Sequence, residues 1–459
     1  MEGAQATTRP RPRRGDELEL AVDRLAHGGA GVARTETGYV VFIRGTVPGD
    51  RVRARIGKAK RSWAEAELVE LLEPSPDRIE PVAPHPGAPW QVLPYERQLE
   101  EKESQVRDAL TRIGGFESPP VEPIVPAREQ LRYRNKLEYS FGMDEDGELV
   151  LGFHRAGRFD LIDDVEDDIL ASERINEVRE AVKAWCREEG LTAWDRETQT
   201  GVLRNLVVRE GRRTGQVHAR VVTSPGAEFR VAELAAATPA DSFLWTRAEG
   251  VAETTRGGDT KVIKGAPVLE EELSGLRFRI SPDAFFQTNT EMAETLYGTA
   301  AELAGLSGRE KVLDLFCGIG TIALALALDA GEVWGVELVE EAVRDAIENA
   351  KLNGIDNTRF FAGDVRLVMR ELLEQSGSPD VIVVDPPRAG LSQKVVRRII
   401  EAEAQRIVYV SCNPTTLAPN ARQLVDDGGY ELKTVRPVDM FPQTPHIECV
   451  ALLERDVNA

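Results

Sequence analysis

Apolar and polar residues follow two different periods along the 459-residue chain. Between residues 15 and 73 they alternate one by one, and glycine-rich and Pro-Gly-Asp turns recur at short intervals, which is typical of short β-strands. A five-stranded Greek-key barrel of the OB type has this length and pattern. The sequence therefore predicts a small β-barrel over residues 15–73, preceded by a disordered arm over residues 1–14.

The rest of the chain divides into a linker and two larger domains. Residues 74–125 form a Pro-rich boundary followed by a helix-like run that ends at a Gly-Gly cap. Residues 126–280 are β-rich with one clear helix, which predicts an α+β middle domain. From 281 to 459 strand and helix signals alternate regularly, which predicts a doubly wound, Rossmann-like parallel sheet; the last two strand-like runs are expected to pair antiparallel at its edge. The predicted fold is thus a multidomain α/β protein.

Composition limits the cellular setting. The chain is 42% hydrophobic and 29% charged, and it has no apolar run of the ~20 residues that a membrane span needs. Its four cysteines are not closely spaced, which disfavours both a disulfide framework and a zinc site of CxxC spacing. These features predict a cytoplasmic protein without a membrane partner, and we take it as a monomer.

Charge is unevenly distributed. The net charge of −20 argues against undirected binding of polyanions by the whole chain. Basic residues nevertheless gather in the first part of the chain, namely Arg9, Arg11, Arg13, Arg14, Arg51, Arg53, Arg55, Lys58, Lys60 and Arg61. They lie close to Trp63, an aromatic residue able to stack on a base. This cluster is either a site for a phosphate backbone or an ordinary solvated face.

The first βα unit of the C-terminal domain has a nucleoside-binding pattern. In VLDLFCGIGTIALALA a buried strand leads into Gly318 and Gly320, which allow a ligand to approach the backbone at a helix N-terminus. Glu337, at the end of the second strand, is placed for ribose hydroxyls, and Asp364, after the third, for an adenine amino group. Ala323 stands near the third glycine of the dinucleotide fingerprint, which favours S-adenosylmethionine over a pyrophosphate cofactor.

Two further strands end in chemically active residues. Asp385-Pro386-Pro387 is a rigid turn that projects a carboxylate towards the cofactor pocket. Arg388 follows it where methyltransferases acting on exocyclic amines usually have an aromatic residue, so an amine target is disfavoured. The next strand runs into SCNP, which puts the thiol of Cys412 at the C-terminal edge of the sheet, where ligands bind.

These motifs together resemble the RNA 5-methyluridine methyltransferase family. The match rests on FFQTN, DLFCGIGT, DPPRAG, SCNP and TPHIEC in this order over the C-terminal 180 residues, and the N-terminal barrel resembles the TRAM domain of many members. The resemblance implies Cys412 as nucleophile and Glu448 as proton acceptor. It further implies cofactor contacts from Gln287, Phe316, Gly318, Thr321, Glu337, Asp364 and Asp385.

The family chemistry explains why a thiol and a carboxylate are needed. Carbon 5 of uridine is a poor nucleophile, and addition of a thiolate to carbon 6 makes it reactive towards a sulfonium methyl group. A thiolate suits this role because its addition is reversible near neutral pH. A base must then remove the carbon-5 proton before the thiol can leave. The implied substrate is therefore structured RNA, either tRNA or rRNA.

One segment departs from the family pattern. Many members hold an iron–sulfur cluster with three cysteines in a segment resembling CPHxxxCGGC, whereas this chain reads APHPGAPWQ at residues 83–91. The fourth ligand is expected within DDVEDDIL, where Asp168 stands instead. The sequence therefore predicts no iron–sulfur cluster and no other metal site.

Three other interpretations compete with this one. Methylation of cytosine carbon 5 in RNA shares the thiol addition, but such enzymes usually show a second active-site cysteine. A dehydrogenase with a nicotinamide cofactor leaves Cys412 and Glu448 unexplained. A non-catalytic RNA-binding protein on the same fold is expected to have damaged catalytic motifs, and those in this sequence are intact.

Overall fold

The N-terminal part of the chain is a closed β-barrel, as the alternating pattern predicts. The computed structural model describes residues 11–155, 158–250 and 254–455. The barrel strands follow the order β1-β2-β3-β5-β4, and alternate side chains such as Val41, Ile43 and Val52 point into a buried core. The strands are β1 (Glu17–Leu25), β2 (Gly31–Arg34), β3 (Val40–Ile43), β4 (Arg51–Ala59) and β5 (Trp63–Glu73). Most of the predicted disordered arm, residues 1–10 with Arg9, lies outside the described residues.

The arginines of β4 face glutamates on the neighbouring strands. The three shortest pairs are Arg51–Glu73 at 2.9 Å, Arg53–Glu70 at 2.6 Å and Arg55–Glu17 at 2.8 Å. Exposed pairs of this kind contribute at most about 1 kcal/mol each, but they neutralise the arginine charges locally. Most of the predicted basic cluster is exposed, and Lys60 and Arg61 lie close to Trp63 in the sequence. The barrel is therefore less cationic than its composition suggests.

A linker joins the barrel to both other domains. Its helix α1 (Tyr95–Arg112) ends shortly before Gly114 and packs against a helix of the C-terminal domain. Beyond it, Val121 and Val125 form parallel bridges to Val435 and Val438 of a strand at the edge of the C-terminal sheet. The linker thus covers a strand edge that would otherwise be open to pairing with another chain.

The middle domain is a seven-stranded sheet of order β12-β11-β10-β9-β6-β7-β8, with only β10 and β11 parallel. Two helices cover one face of this sheet, where their apolar sides share a core with alternate strand residues. The strands are β6 (Lys136–Met143), β7 (Leu149–Arg155), β8 (Arg158–Asp164), β9 (Leu203–Glu210), β10 (Val217–Thr223), β11 (Ser242–Arg247) and β12 (Asp259–Lys264). The helices are α2 (Glu173–Glu188) and α3 (Val231–Ala237).

The C-terminal domain is a doubly wound sheet of order β17-β16-β15-β18-β19-β21-β20. The first five strands are parallel, and the antiparallel β21 and β20 complete the edge, as predicted. The strands are β15 (Lys311–Leu315), β16 (Glu332–Glu337), β17 (Thr358–Ala362), β18 (Val381–Val384), β19 (Arg406–Ser411), β20 (Tyr430–Val438) and β21 (Glu448–Arg455). The Rossmann-like prediction is confirmed.

Helices cover both faces of this sheet, and a hairpin extends its core. The helices are α4 (Thr290–Ala304), α5 (Thr321–Ala327), α6 (Glu340–Leu352), α7 (Val365–Ser376), α8 (Gln393–Glu401) and α9 (Pro414–Gly428). The hairpin of β13 (Leu269–Leu273) and β14 (Leu276–Ile280) shares a core with α4 and β15, although the sequence assigns it to the middle domain. Within the described ranges, no helix has the length and apolar character needed to cross a bilayer.

A buried hydrogen-bond network occupies the region where the sequence departs from the family's cysteine pattern. His85 Nε2 lies 2.8 Å from Asp168 Oδ1, and Tyr139 Oη donates to Asp168 Oδ2 at 2.9 Å. Gly87 N donates to His85 Nδ1, so Nε2 carries the proton shared with the carboxylate. Burial opposes ionisation, but the His85 and Leu170 hydrogen bonds hold the pKa of Asp168 below its usual value. The network ties the segment around residue 85 to the middle domain.

Removing the imidazole is expected to destabilise the fold. His85→Ala leaves a buried, ionised carboxylate without its main partner, which we expect to lower the free energy of unfolding by about 3 kcal/mol at pH 7. His85→Gln, whose amide can donate to Asp168, is expected to recover part of the loss. Urea unfolding of the three proteins measures both effects. A loss below about 0.5 kcal/mol for His85→Ala would contradict the structural role.

Candidate active site

Five parallel strands of the C-terminal sheet end at one edge. These ends are Leu315, Glu337, Ala362, Val384 and Ser411. In open α/β sheets, ligands bind outside the carboxyl ends of the strands. Seven predicted site residues end or follow these strands: Phe316, Gly318, Thr321, Glu337, Asp364, Asp385 and Cys412. The other two reach the same edge from the segment before α4, which carries Gln287, and from the start of β21, which is Glu448.

The turn after β15 has a strained backbone suited to close approach by a ligand. Phe316 adopts φ +69°, a left-handed conformation that non-glycine residues rarely take, and Gly318 and Gly320 follow at +55° and +86°. No atom lies within 4 Å of the position that a β-carbon on Gly318 would occupy. The backbone of this turn is therefore accessible to a small molecule.

Glu337 is held in place by the same turn. Its Oε2 accepts a hydrogen bond from Gly318 N at 3.1 Å, and its Oε1 accepts one from Val339 N at 2.9 Å. The adjacent Leu338 is 68% exposed, an unusual setting for a large apolar residue. A preoriented carboxylate beside exposed apolar surface suits a nucleoside, with the ribose on Glu337 and a base on Leu338.

Asp364 has a different local role. Its carboxylate caps α7 by accepting from Arg366 N at 2.9 Å, and it forms an ion pair with the Arg366 guanidinium. These contacts lower the pKa of Asp364 to about 2. The carboxylate therefore already has donors, and contact with an adenine amino group remains a prediction.

The thiol and the second carboxylate meet on paired strands. Strand β19 runs antiparallel to β21 with Ser411 opposite Cys449, so the next position brings Cys412 opposite Glu448. Cys412 is partly exposed and Glu448 is buried, while Asn413 caps α9 immediately after the thiol. The nucleophile and base candidates, 36 positions apart in the sequence, are therefore neighbours in the sheet.

Acidic groups dominate the electrostatics of this edge. Burial raises the pKa of Asp385 to about 7, and burial together with Asp385 raises the pKa of Glu448 well above its usual value. Burial and the same two carboxylates raise the pKa of Cys412 to about 11, whereas Arg388 acts in the opposite direction. A ligand that brings positive charge to this edge would favour both the thiolate and the carboxylates.

The high pKa of Cys412 makes its reactivity steeply dependent on pH. At pH 8, three units below about 11, only about 1 in 10³ thiols is ionised, so alkylation by iodoacetamide is expected to accelerate about tenfold per pH unit up to pH 10. Asp385→Asn removes a negative charge and is expected to raise the rate at pH 8 severalfold. Mass spectrometry of the Cys412 peptide measures the rate. A rate that is flat between pH 8 and 10 would contradict the raised pKa.

The other cysteines are internal controls for that experiment. Cys186, Cys317 and Cys449 are all buried in the protein core. Cys317 lies buried in the turn after β15, and Cys449, beside Glu448, packs in the apolar core of the sheet. We therefore expect none of the three to be modified while the protein is folded.

Sequence reasoning gave Arg388 and His446 no role in the site. An Arg388 nitrogen donates to His446 Nδ1 at 2.9 Å, and Asn413 Nδ2 donates to the Arg388 carbonyl at 3.0 Å. Burial and Arg388 lower the pKa of His446 to about 4, so its imidazole is neutral and can accept this bond. The pair is exposed and, through Asn413, lies beside Cys412 at the rim of the site. Their positions next to the DPP and IEC motifs are the only sequence signals of this contact.

A buried tyrosine also belongs to the site. Tyr297 of α4 is 4% exposed, and Thr321 Oγ1 donates to its hydroxyl at 3.4 Å. Burial and the charge of Asp385 raise the pKa of Tyr297 above its usual value, so the phenol stays protonated. Gln287 is also buried, and its carbonyl accepts from Asn135 Nδ2 of the middle domain at 2.9 Å. Nothing in the local sequence marks Tyr297, because it lies on the apolar side of an ordinary helix.

The segment before Glu448 is fixed by the linker and the barrel. Lys102 of α1 and Asp439 form a fully buried ion pair at 2.6 Å. In the barrel, Gly29 packs so closely on Pro445 that a β-carbon there would lie 2.9 Å from Pro445 Cβ. All three domains therefore contribute to the position of the site. Among the residues that the structure describes, no group of three or more His, Cys, Asp or Glu side chains could hold a metal ion.

Comparison with known proteins agrees with this geometry. Residues 254–456 match the tRNA (uracil-5-)-methyltransferase family model, and residues 11–69 match the TRAM domain model. RNA methyltransferases of Halalkalibacterium halodurans and Bacteroides thetaiotaomicron are 39% and 41% identical to this chain, covering 96% and 94% of it and 97% and 100% of their own lengths. The tRNA (uracil-54, C5)-methyltransferase of Pyrococcus abyssi, solved with S-adenosyl-L-homocysteine, superimposes with a TM-score of 0.78 at 29% identity over 95% of this chain and 100% of its own. This chain therefore belongs to the RNA (uracil-5-)-methyltransferase family, whose methyl donor is S-adenosylmethionine.

Proposed function

We propose that the enzyme methylates carbon 5 of one uridine in structured RNA, tRNA or rRNA, through a covalent adduct on Cys412. The pairing of β19 with β21, which brings a partly exposed thiol opposite a buried carboxylate at the cofactor edge, is the observation that carries this proposal. A methyl donor and a uracil ring must both reach this point. The structural neighbour from Pyrococcus abyssi is a tRNA methyltransferase, so tRNA is the first substrate to test.

The chain offers a consistent set of groups for the cofactor. We assign the ribose to Glu337, the adenine to Asp364 and the exposed face of Leu338, and the remaining contacts to Gln287, Phe316, Gly318, Thr321 and Asp385. The donor set fits a cationic nucleoside, because preoriented backbone, apolar surface and clustered carboxylates meet there. When bound, S-adenosylmethionine would supply a sulfonium methyl group, and its acceptor would be carbon 5 of the uracil ring.

Cys412 and Glu448 divide the remaining chemistry. The Cys412 thiolate adds to carbon 6, and the electrons of the ring double bond make carbon 5 nucleophilic. After methylation, Glu448 takes the proton from carbon 5. The electrons of that bond restore the ring double bond as the bond between carbon 6 and sulfur breaks. A carboxylate whose pKa is raised is a stronger base for this step.

The other domains are assigned to holding RNA. The target base must leave its stack to reach Cys412, so the surrounding RNA needs a separate binding surface. We assign this surface to the barrel, residues 15–73, and to the middle domain, residues 126–280, which would bind RNA through its shape and its phosphates. The contact of Gly29 with Pro445 supports the barrel's part, since it places the barrel beside the site. We further propose that the enzyme acts as a monomer in the cytoplasm.

Mass spectrometry of nucleosides tests the function. Unmodified tRNA and rRNA that lack 5-methyluridine are incubated with the enzyme and S-adenosylmethionine, and the digested nucleosides are quantified. New 5-methyluridine in one RNA pool establishes the reaction and names the substrate class. New 5-methylcytidine would overturn the proposal in favour of cytosine methylation, and no new methyl group in either pool would overturn the catalytic assignment.

A further inference from the structure

One face of the middle sheet carries more basic side chains than acidic ones. Lys136, Arg209 and His218 lie directly opposite one another on β6, β9 and β10. The helices α2 and α3 cover the other face, so this row faces away from them. Two positions along the strands, Glu138 and Arg220 flank Val207 on the same face. The face of the middle sheet that α2 and α3 leave uncovered is therefore polar.

This arrangement is unfavourable in the isolated protein. Like charges directly opposite each other on neighbouring strands destabilise a sheet, and here Lys136 is opposite Arg209. Arg209 is 7% exposed, and its guanidinium donates to the carbonyl of Ala284 at 3.0 Å. Among the described residues it has no ion-pair partner. Burial and the nearby Arg220 lower the pKa of Arg209 to about 10.

The charges nearby do not balance. Lys136 pairs with Glu138 at 2.5 Å, and Arg220 with Asp283 at 2.6 Å. The buried Arg209 and the exposed neighbouring Arg256 remain as surplus cations in the described part of the chain, although the whole protein carries a net charge of −20. Buried charges in proteins are usually paired, so Arg209 is a candidate for binding an anion.

A pocket opens at this cluster. It is a small, half-open cavity of about 30 Å³, and its lining includes Arg209, His218, Arg220, Leu244, Ile280 and Pro282. A cavity of this size takes phosphate oxygens rather than a whole nucleotide. Burial and Arg209 lower the pKa of His218 to about 4, so its imidazole adds no positive charge.

The pocket is next to the proposed cofactor segment. Arg209 binds the carbonyl of Ala284, three residues before Gln287, and Asn135 of the middle domain binds the Gln287 carbonyl. A group bound in the pocket would therefore lie beside the segment that enters the active site. Hydrogen bonds from the middle domain thus hold both Ala284 and Gln287, which are three residues apart in this segment.

We propose that this pocket binds a phosphodiester group of the RNA substrate, from a nucleotide that flanks the target uridine. Arg209 and Arg220 contact the phosphate oxygens, and the nucleoside remains outside the pocket. The proposal rests on the proposed function for the identity of the ligand as RNA. The pocket would fix the RNA strand on one side of the flipped base. It would thereby determine which nucleotide reaches the active site.

The first test measures how RNA binding depends on salt. Binding of an unmodified tRNA transcript in the presence of S-adenosylhomocysteine is followed from about 50 to 200 mM salt, which requires no methyl transfer. Arg209→Met is expected to weaken binding about tenfold and to reduce the slope of log affinity against log salt by about 0.7–0.9, the value of one phosphate contact. Arg187→Met, on the helix-covered side of the same sheet, is the charge-matched control and is expected to leave the slope unchanged.

Stability distinguishes a binding site from a structural arginine. Because Arg209 lacks an acidic partner, Arg209→Met is expected to raise the midpoint of thermal unfolding while weakening RNA binding. A lowered midpoint with an unchanged salt slope would show that Arg209 is structural and would overturn the proposal. The exposed Arg256→Met cannot unfold the core, and it is expected to reduce the slope as well.

Inorganic phosphate separates the two sources of the anion. If the pocket accepts a phosphodiester only as part of RNA, inorganic phosphate is expected to leave the unfolding midpoints of the wild type and of Arg209→Met unchanged. The difference between the two proteins in the salt dependence of RNA binding then supports the proposal. Phosphate stabilisation of the wild type alone, with an unchanged RNA slope, would assign the pocket to a small anion and overturn it. Failure of methylation with a preserved slope difference would refute the proposed function alone.

Discussion

Alanine at position 412 is expected to reduce methyl transfer by at least about 10⁴-fold, because no other group can add to carbon 6. The remaining three cysteines are buried and cannot replace it. Cys412→Ser is expected to be nearly as inactive, since a hydroxyl is ionised far less readily than a thiol in this acidic setting. Incorporation of labelled methyl groups from S-adenosylmethionine into RNA measures all three proteins.

The binding of cofactor provides the control for this variant. Cys412 is not among the residues assigned to the cofactor, so Cys412→Ala is expected to bind S-adenosylhomocysteine within about twofold of the wild type. RNA affinity without chemistry is expected to be similarly preserved. Methyl transfer above about 1% of the wild-type rate would contradict the nucleophile assignment.

Glutamine at position 448 is expected to trap the covalent intermediate. Glu448→Gln cannot take the carbon-5 proton, so the thiol cannot leave and turnover falls by about 10²–10⁴-fold. Removal of the Glu448 charge also favours the Cys412 thiolate, because that charge raises the thiol pKa in the wild type. Addition should therefore be no slower than in the wild type. A complex of protein and labelled RNA that survives denaturing electrophoresis is the expected observation.

The double variant tests the origin of that complex. Cys412→Ala/Glu448→Gln is expected to give no denaturation-resistant band, and the single Glu448→Gln band is expected to carry one methyl group per RNA. A band in the double variant would assign the adduct to another residue. Turnover by Glu448→Gln close to that of the wild type would assign the base elsewhere.

The parts of the site that could be predicted from the sequence are those carried by local pattern. Strand ends are visible in the alternation of apolar runs and glycine or proline turns, so the sequence predicts that Glu337, Asp385 and Cys412 lie at one sheet edge. The fold class followed from the same periodicity. The role of Glu448 came only from the family resemblance, since a glutamate at the start of a strand has no distinctive local signal.

Contacts set by strand register and domain packing could not be predicted. The neutralisation of Arg53 by Glu70 depends on which residues face each other across β4 and β5, and composition alone left a phosphate site and a solvated face as alternatives. The rim contact of Arg388 with His446 joins two loops 58 positions apart. Tyr297 was missed because its buried side chain reads as core. In each case the information lies in tertiary geometry rather than in local spacing.

The pairing of β19 with β21 also has a consequence for synthesis of the protein on the ribosome. The cofactor edge is complete once β19 has been synthesised, but Glu448 arrives only with the last strand described, after α9 and β20. During synthesis or after a break within residues 414–447, a chain would hold the nucleophile without its base. Such a chain would also lack the buried side chains of β21, such as Val450 and Ala451, that complete the core of the sheet. The late position of β21 therefore makes the integrity of this strand a condition for turnover.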